Sequence, residues 1–222
     1  MPTTTQNTTT NHREGLIEMD LWVATGNAGK LAEIKSLLMD LPIRIRSQKE
    51  LPNYYSPEEN GDSFLKNAQI KARSLKKIVG DQWVVAEDSG LVVDGLNGLP
   101  GIHSARYAGP RANDLENVAK LLKMISIKSP LHRKAHFITQ LVAISPNNEE
   151  ICFEGLINGE ISKKVQGKGG FGYDPCFIPS GEQKTFAELG IGYKNKNSHR
   201  AKAIKMFKEE LQKFLASNQS DF

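Results

Sequence analysis

Apolar residues recur along this chain at two spacings, and the change from one to the other marks out the elements. Residues 21–24 are a continuous apolar run of strand length. A polar, glycine-containing break follows, and then Leu31, Ile34, Leu37 and Leu38 recur at helical spacing. The opening unit is therefore strand, tight loop, helix. Pro42 ends that helix, and residues 43–46 read as a second strand. Phe64, Ala68, Ala72, Leu75 and Ile78 define a helix with one apolar face; Leu115, Val118, Leu121, Leu122 and Ile125 define another. Between them, residues 83–86 read as a strand ending at an acidic turn, Glu87-Asp88-Ser89-Gly90, with residues 91–93 extended beyond it. Residues 137–145 and 151–158 predict an antiparallel hairpin with a somewhat long turn. A glycine-dense loop at 167–172 leads to a short strand at 176–178. The last helix starts near Ser198 and carries Ile204, Phe207, Leu211 and Phe214 on one face. Helices and strands intermix throughout, which predicts an α/β fold with a mixed sheet.

Composition narrows the class. A chain of 222 residues, 39% hydrophobic and 24% charged, can bury a sizeable core as one large domain or as a compact domain with a second lobe. The formal net charge of +4 is too small to argue for nucleic-acid binding, but suits an anionic small molecule. Cys152 and Cys176 have no disulfide or metal-site spacing, so both are expected to be buried thiols in a reducing compartment. No apolar run reaches the ~18 residues of a membrane span. Residues 1–11 are rich in Thr and Asn and lack the basic start and apolar stretch of a signal peptide. The expectation is a cytoplasmic protein with a disordered tail over residues 1–15 and a single domain over 16–222.

Several segments carry candidate chemistry. Thr25, Gly26, Asn27, Ala28, Gly29 and Lys30 form a loop that follows a strand and opens a helix. Free backbone N–H groups and the positive helix end favour a phosphate there, although a plain strand–helix turn fits as well, and the P-loop spacing is absent. Glu87 and Asp88 offer hard oxygen ligands of the kind Mg²⁺ takes, and Asp88 is a candidate proton acceptor; a capped acidic turn is the alternative. Glu58 and Glu59 precede a helix, either as a second acidic site or as charge at a helix N-terminus. Lys71 within that helix either points at polyphosphate or is solvated. Phe171, Gly172, Tyr173 and Asp174 lie in the glycine-dense loop, which suits a stacking platform for a nucleobase or a hairpin with a buried Phe. Ser198 is a good N-cap, yet His199 and Arg200 then put donors and positive charge in the first helical turn, where the dipole disfavours cations. That local conflict, with Lys194 just upstream, points to function.

Taken together, residues 25–30, 87–91, 100–107 (PGIHSARY), 169–175 and 198–200 resemble the inosine triphosphate pyrophosphatase family over about residues 21–215. Each motif is weak alone; five in this order are highly specific. The resemblance implies a long mixed sheet flanked by helices, two lobes and a central substrate cleft in a homodimer. It implies hydrolysis of ITP, dITP and XTP to monophosphate and pyrophosphate, by attack of water on the α-phosphorus. Thr25–Lys30 and Lys71 would hold the triphosphate, and Glu59 and Asp88 would coordinate Mg²⁺, with Asp88 as proton acceptor. Ser89 would contact substrate. Phe171–Asp174 would line the nucleoside pocket, and Lys194, His199 and Arg200 would complete base recognition. Relatives commonly carry Asp at the position of Glu87, whose role is left open. A nucleotide-binding regulatory module without turnover is the alternative, and retention of Glu59 and Asp88 argues against it.

Overall fold

The computed structural model describes residues 19–219, with side chains through 217; the expected N-terminal tail, residues 1–15, lies outside the described residues. Six strands form one sheet: β1 (Met19–Val23), β2 (Ile43–Ser47), β3 (Trp83–Val93), β4 (Lys134–Ile144), β5 (Glu150–Ile161) and β6 (Phe177–Pro179), in the order β2-β1-β3-β4-β5-β6. Pairings of β1 with β2 and β3 are parallel and the rest antiparallel, so the sheet is mixed, as expected. The helices are α1 (Ala28–Leu37), α2 (Phe64–Val79), α3 (Asp114–Lys128), α4 (Phe186–Asn197) and α5 (His199–Gln219). Among the described residues, no helix is long and apolar enough to cross a membrane.

The period-two alternation of β3 organises the molecule. Val84 and Ala86 pack with Ala68, Ala72 and Leu75 of α2. Trp83 and Val85 face the opposite way, onto Ile34 of α1 and Ala203, Ile204 and Phe207 of α5. Further along that second face, Leu91 and Val93 join Phe137, Phe177 and Phe186 in a separate cluster with Val118, Leu121 and Ile125 of α3. The stretch of β3 between these clusters is Glu87–Gly90.

That stretch corrects the expected acidic turn. It is the middle of a continuous strand, with Glu87 paired to Leu141 and Asp88 to Gln140 of β4. The ladder satisfies the backbone, and alternation sends the two carboxylates to opposite faces, where each meets cations. Gly90 belongs in the strand because a Cβ there would lie 2.5 Å from the Gly101 carbonyl oxygen. Three smaller expectations also change. Ile78, in the last turn of α2, and Leu115, in the first turn of α3, are exposed, because the middle of each apolar stripe does the packing. Cys176 is buried but Cys152 is exposed on β5. Helix α4 was hidden by its two glycines and weak apolar period, although Thr185 and Glu188 form a capping box at its start.

Helix α5 starts against β5 at Gly155. A Cβ on Gly155 would lie 1.9 Å from the His199 carbonyl oxygen and 2.9 Å from the Ala203 nitrogen. Backbone cannot yield as a flexible side chain can, so Gly155→Ala should push α5 off the sheet. Overpacking of this kind costs about 1–3 kcal/mol. A clearly lowered Tm is the expected outcome in calorimetry, and an unchanged Tm would refute the close approach.

Candidate active site

The first turn of α1 and its approach loop form one wall of the site. The Asn27 side chain caps α1 by accepting from the Lys30 N–H at 3.0 Å, and Thr25 Oγ1 accepts from the Asn27 N–H at 3.2 Å. Thr25, Gly26, Asn27 and Lys30 line a cavity of about 370 Å³, whereas Ala28 and Gly29 do not. Gly29 serves a different close approach from the expected phosphate contact: a Cβ there would lie 2.7 Å from the Phe171 ring. The phosphate-type loop and the glycine-dense loop are thus packed directly on each other.

On the α2 side of β3, Asp88 accepts from Lys71 Nζ at 3.2 Å and from Asn67 Nδ2 at 3.3 Å. Lys71 Nζ also lies 3.2 Å from Glu59 Oε2, so one ammonium group gathers both carboxylates. Asn67 ties the loop before α2 to the same point, accepting from the Gly61 N–H at 2.8 Å. Burial raises the Asp88 pKa above the ordinary carboxylate value, against the opposing pull of Lys71 and Lys30.

On the opposite face, Arg200 is a hub. Its Nε donates to Glu87 Oε1 and Oε2 at 2.9 and 2.8 Å, its Nη1 donates to Glu33, and its Nη2 donates to Ser89 Oγ at 3.0 Å. Lys30 Nζ stands 3.4 Å from Glu87. Burial pushes the Glu87 carboxyl up, but Arg200 and Lys30 together outweigh it and hold the pKa below its usual value. Lys194 Nζ bridges Glu33 at 2.7 Å and Asp174 at 2.6 Å, and stands 4.6 Å from the centre of the Phe171 ring. Asp174 Oδ2 also accepts from the Phe171 N–H at 2.9 Å, fixing the loop. Tyr173 is a buried brace whose hydroxyl donates to the Ser104 carbonyl at 2.8 Å.

His199 stacks on Phe137, with ring centroids 4.7 Å apart and planes 7° from parallel. Burial first, and Arg200 and Lys194 next, drive its pKa well below the usual histidine value, so the ring is neutral. This resolves the apparent conflict at the start of α5, since His199 carries no charge and Arg200 is neutralised by two acids. The buried His199 Nδ1 bonds to no protein group.

One cavity therefore brings together Thr25–Asn27, Lys30, Glu59, Lys71, Asp88, Ser89, Phe171–Asp174, Lys194, His199 and Arg200. Glu87 lies behind its wall and Glu58 is not part of the lining. Sequence reasoning missed Glu33 and Asn67. Both carried a signal, because each is polar on the inward stripe of its helix: Glu33 beside Ile34 and Leu37, Asn67 between Phe64 and Ala68. Among the described residues, no group of three or more His, Cys, Asp or Glu forms a metal cage. Glu59 and Asp88 still fit a hard cation, because Mg²⁺ commonly takes one or two carboxylates and completes its shell with phosphates and water.

A mixed sheet carrying a capped anion-type loop, two buried acid–base clusters and an aromatic wall defines an α/β protein built around a polyanionic, ring-bearing ligand. Comparison with known proteins gives the family: the Ham1 family model matches residues 21–210, and the chain belongs to that family. A relative from Bdellovibrio bacteriovorus, a dITP/XTP pyrophosphatase, is 53% identical over 195 residues, covering 87% of this chain and 98% of that one. Another dITP/XTP pyrophosphatase, from Caldanaerobacter subterraneus, is 43% identical over 198 residues, with 89% and 98% covered. Among solved structures, a HAM1 protein from Coxiella burnetii superposes with a TM-score of 0.79 at 37% identity, covering 88% of this chain and 99% of that one.

Proposed function

We propose that this protein hydrolyses non-canonical purine nucleoside triphosphates, namely dITP, XTP and ITP, to the monophosphate and pyrophosphate. The observation that carries this reading is the shared cavity, lined together by the loop that opens α1, Lys30, Lys71, Phe171 and His199. The printed activity of the relatives supports the same substrate class.

In this reading residues 16–222 act as a single catalytic domain, with two lobes about the cavity, in a cytoplasmic homodimer. The loop before α1, whose Thr25, Gly26 and Asn27 line the cavity at the positive end of the helix, receives phosphate oxygens, assisted by Lys30. Lys71 neutralises charge that develops on the phosphoryl group. Asp88, buried on the rim of the cavity and tied to Lys71 and Asn67, accepts the proton of the attacking water. Glu59 and Asp88 are the residues suited to hold Mg²⁺, which would polarise the phosphoryl oxygens when bound. Phe171 provides a flat apolar face for the base. His199, whose free Nδ1 is buried in the wall, and Arg200 complete recognition, and Ser89 is held ready by Arg200.

Pyrophosphate release from a panel of nucleoside triphosphates is the direct test. Rapid release from dITP, XTP and ITP, slow release from ATP, and loss of activity in EDTA are the expected outcomes. Binding of these nucleotides without release would favour a regulatory module instead, and full activity after exhaustive chelation would remove the metal.

A further inference from the structure

The PGIHSARY segment, residues 100–107, is not accounted for by the roles given above. Its backbone is fixed from both sides of the cavity. Ser104 Oγ accepts from the Leu91 N–H at 2.9 Å, just beyond Gly90 on β3, and donates to the Gly101 carbonyl at 2.6 Å. The Ser104 carbonyl takes the Tyr173 hydroxyl. Immediately after it, Asn117 Nδ2 donates to the Ala105 carbonyl at 3.1 Å, Asn117 Oδ1 accepts from the Ala108 N–H at 2.7 Å, and Lys120 Nζ donates to the Tyr107 carbonyl at 2.6 Å. Arg106 is therefore presented from a pinned strut, on the rim between the cavity that holds Asp88 and a neighbouring groove of Leu99, His103, Tyr107 and Pro110.

Arg106 also differs from every other cation of that wall. Lys30, Lys71, Lys194 and Arg200 are each paired with carboxylates. Carboxylates match or outnumber those cations, because Asp114 also lines the cavity. The site is thus poorly prepared by its paired cations alone to take a ligand bearing several negative charges. Arg106 is exposed, and among the described residues its guanidinium has no hydrogen bond or ion pair.

We infer that Arg106 is a substrate-binding residue that grips the outer phosphates of the triphosphate, the part that leaves as pyrophosphate. A guanidinium presents paired donors that match phosphate oxygens, and a solvent-facing position suits the terminal, most highly charged group of the chain. Lys194 and Arg200 already stand over the Phe171 ring, so the nucleoside side of the cavity has its cations. This inference rests on the function proposed above and assigns one more contact to it.

The test separates binding of the leaving group from recognition of the base. Arg106→Ala should lower kcat/KM for ITP about tenfold, chiefly through KM, as expected for one charge-assisted contact at an exposed position. Affinity for pyrophosphate, measured by calorimetry with Mg²⁺ present, should fall in parallel, while the ITP-to-ATP ratio stays constant. Arg106→Lys should recover part of the affinity. Arg111→Ala is the control, being exposed nearby and outside the cavity lining; it should change neither quantity. Unchanged pyrophosphate affinity in Arg106→Ala would overturn the assignment, as would an equal loss in Arg111→Ala or a shifted ITP-to-ATP ratio with normal pyrophosphate binding. Because pyrophosphate binding is read without turnover, a wild type that binds pyrophosphate but hydrolyses no triphosphate would refute the proposed function and leave the Arg106 contact testable.

Discussion

Asp88→Asn is expected to lower turnover by at least ~100-fold, the usual scale for a lost general base, while the protein stays folded. Asparagine keeps the size of the side chain and can still accept a hydrogen bond from Lys71 or Asn67, the partners Asp88 has in this structure. It cannot accept the proton of a water molecule, and it is a poorer ligand for a hard cation. The backbone of position 88 is held by its pairing with Gln140 and needs nothing from the side chain. Calorimetry should therefore return a Tm close to the parent, and single-turnover kinetics should locate the loss in the chemical step. Near-normal turnover would take Asp88 out of the mechanism.

Arg200→Ala should chiefly cost stability. Arg200 is only 2% exposed, and its guanidinium is shared by Glu87, Glu33 and Ser89. Truncation leaves Glu87 with Lys30 alone and Glu33 with Lys194 alone, both acids being buried. Removing one member of a buried ionic cluster costs roughly 3–5 kcal/mol, because the remaining charges stay desolvated. Urea unfolding should show a loss of that size. Arg200→Lys should fall between the two, because an ammonium keeps the charge but not the planar fork that reaches three partners. A loss below about 1 kcal/mol in Arg200→Ala would mean that the cluster adds little to the fold. Arg200→Ala should also narrow the ITP-to-ATP preference in whatever fraction remains folded, so selectivity has to be measured on protein shown to be native.

Much of the architecture is written in local patterns. The apolar run of β1, the capped loop into α1, the stripes of α2 and α3 and the long β4–β5 hairpin are each specified by residues close in sequence, and a period of two or 3.6 reports them directly. The motif residues were legible too, because glycine-dense loops with aromatics and a cationic first turn break ordinary local rules. What the pattern could not convey was partnership across distance. Glu87-Asp88-Ser89-Gly90 reads as a turn because a run of polar residues in a strand is unfavourable by itself. It becomes a strand interior only when β4 pairs with it and when Arg200, more than a hundred residues later, and Lys71 neutralise its acids from opposite faces. Glu33 and Asn67 stand out as polar positions on inward helical stripes, but the partners that explain them, Arg200 and Lys194 for Glu33 and Asp88 for Asn67, come from other elements. The sequence by itself determined most of the helices and strands, α4 and the middle of β3 excepted, and which residue types are available for chemistry. The tertiary structure alone decided which charges meet, because a buried carboxylate is tolerable only where a cation from another element arrives to pair with it.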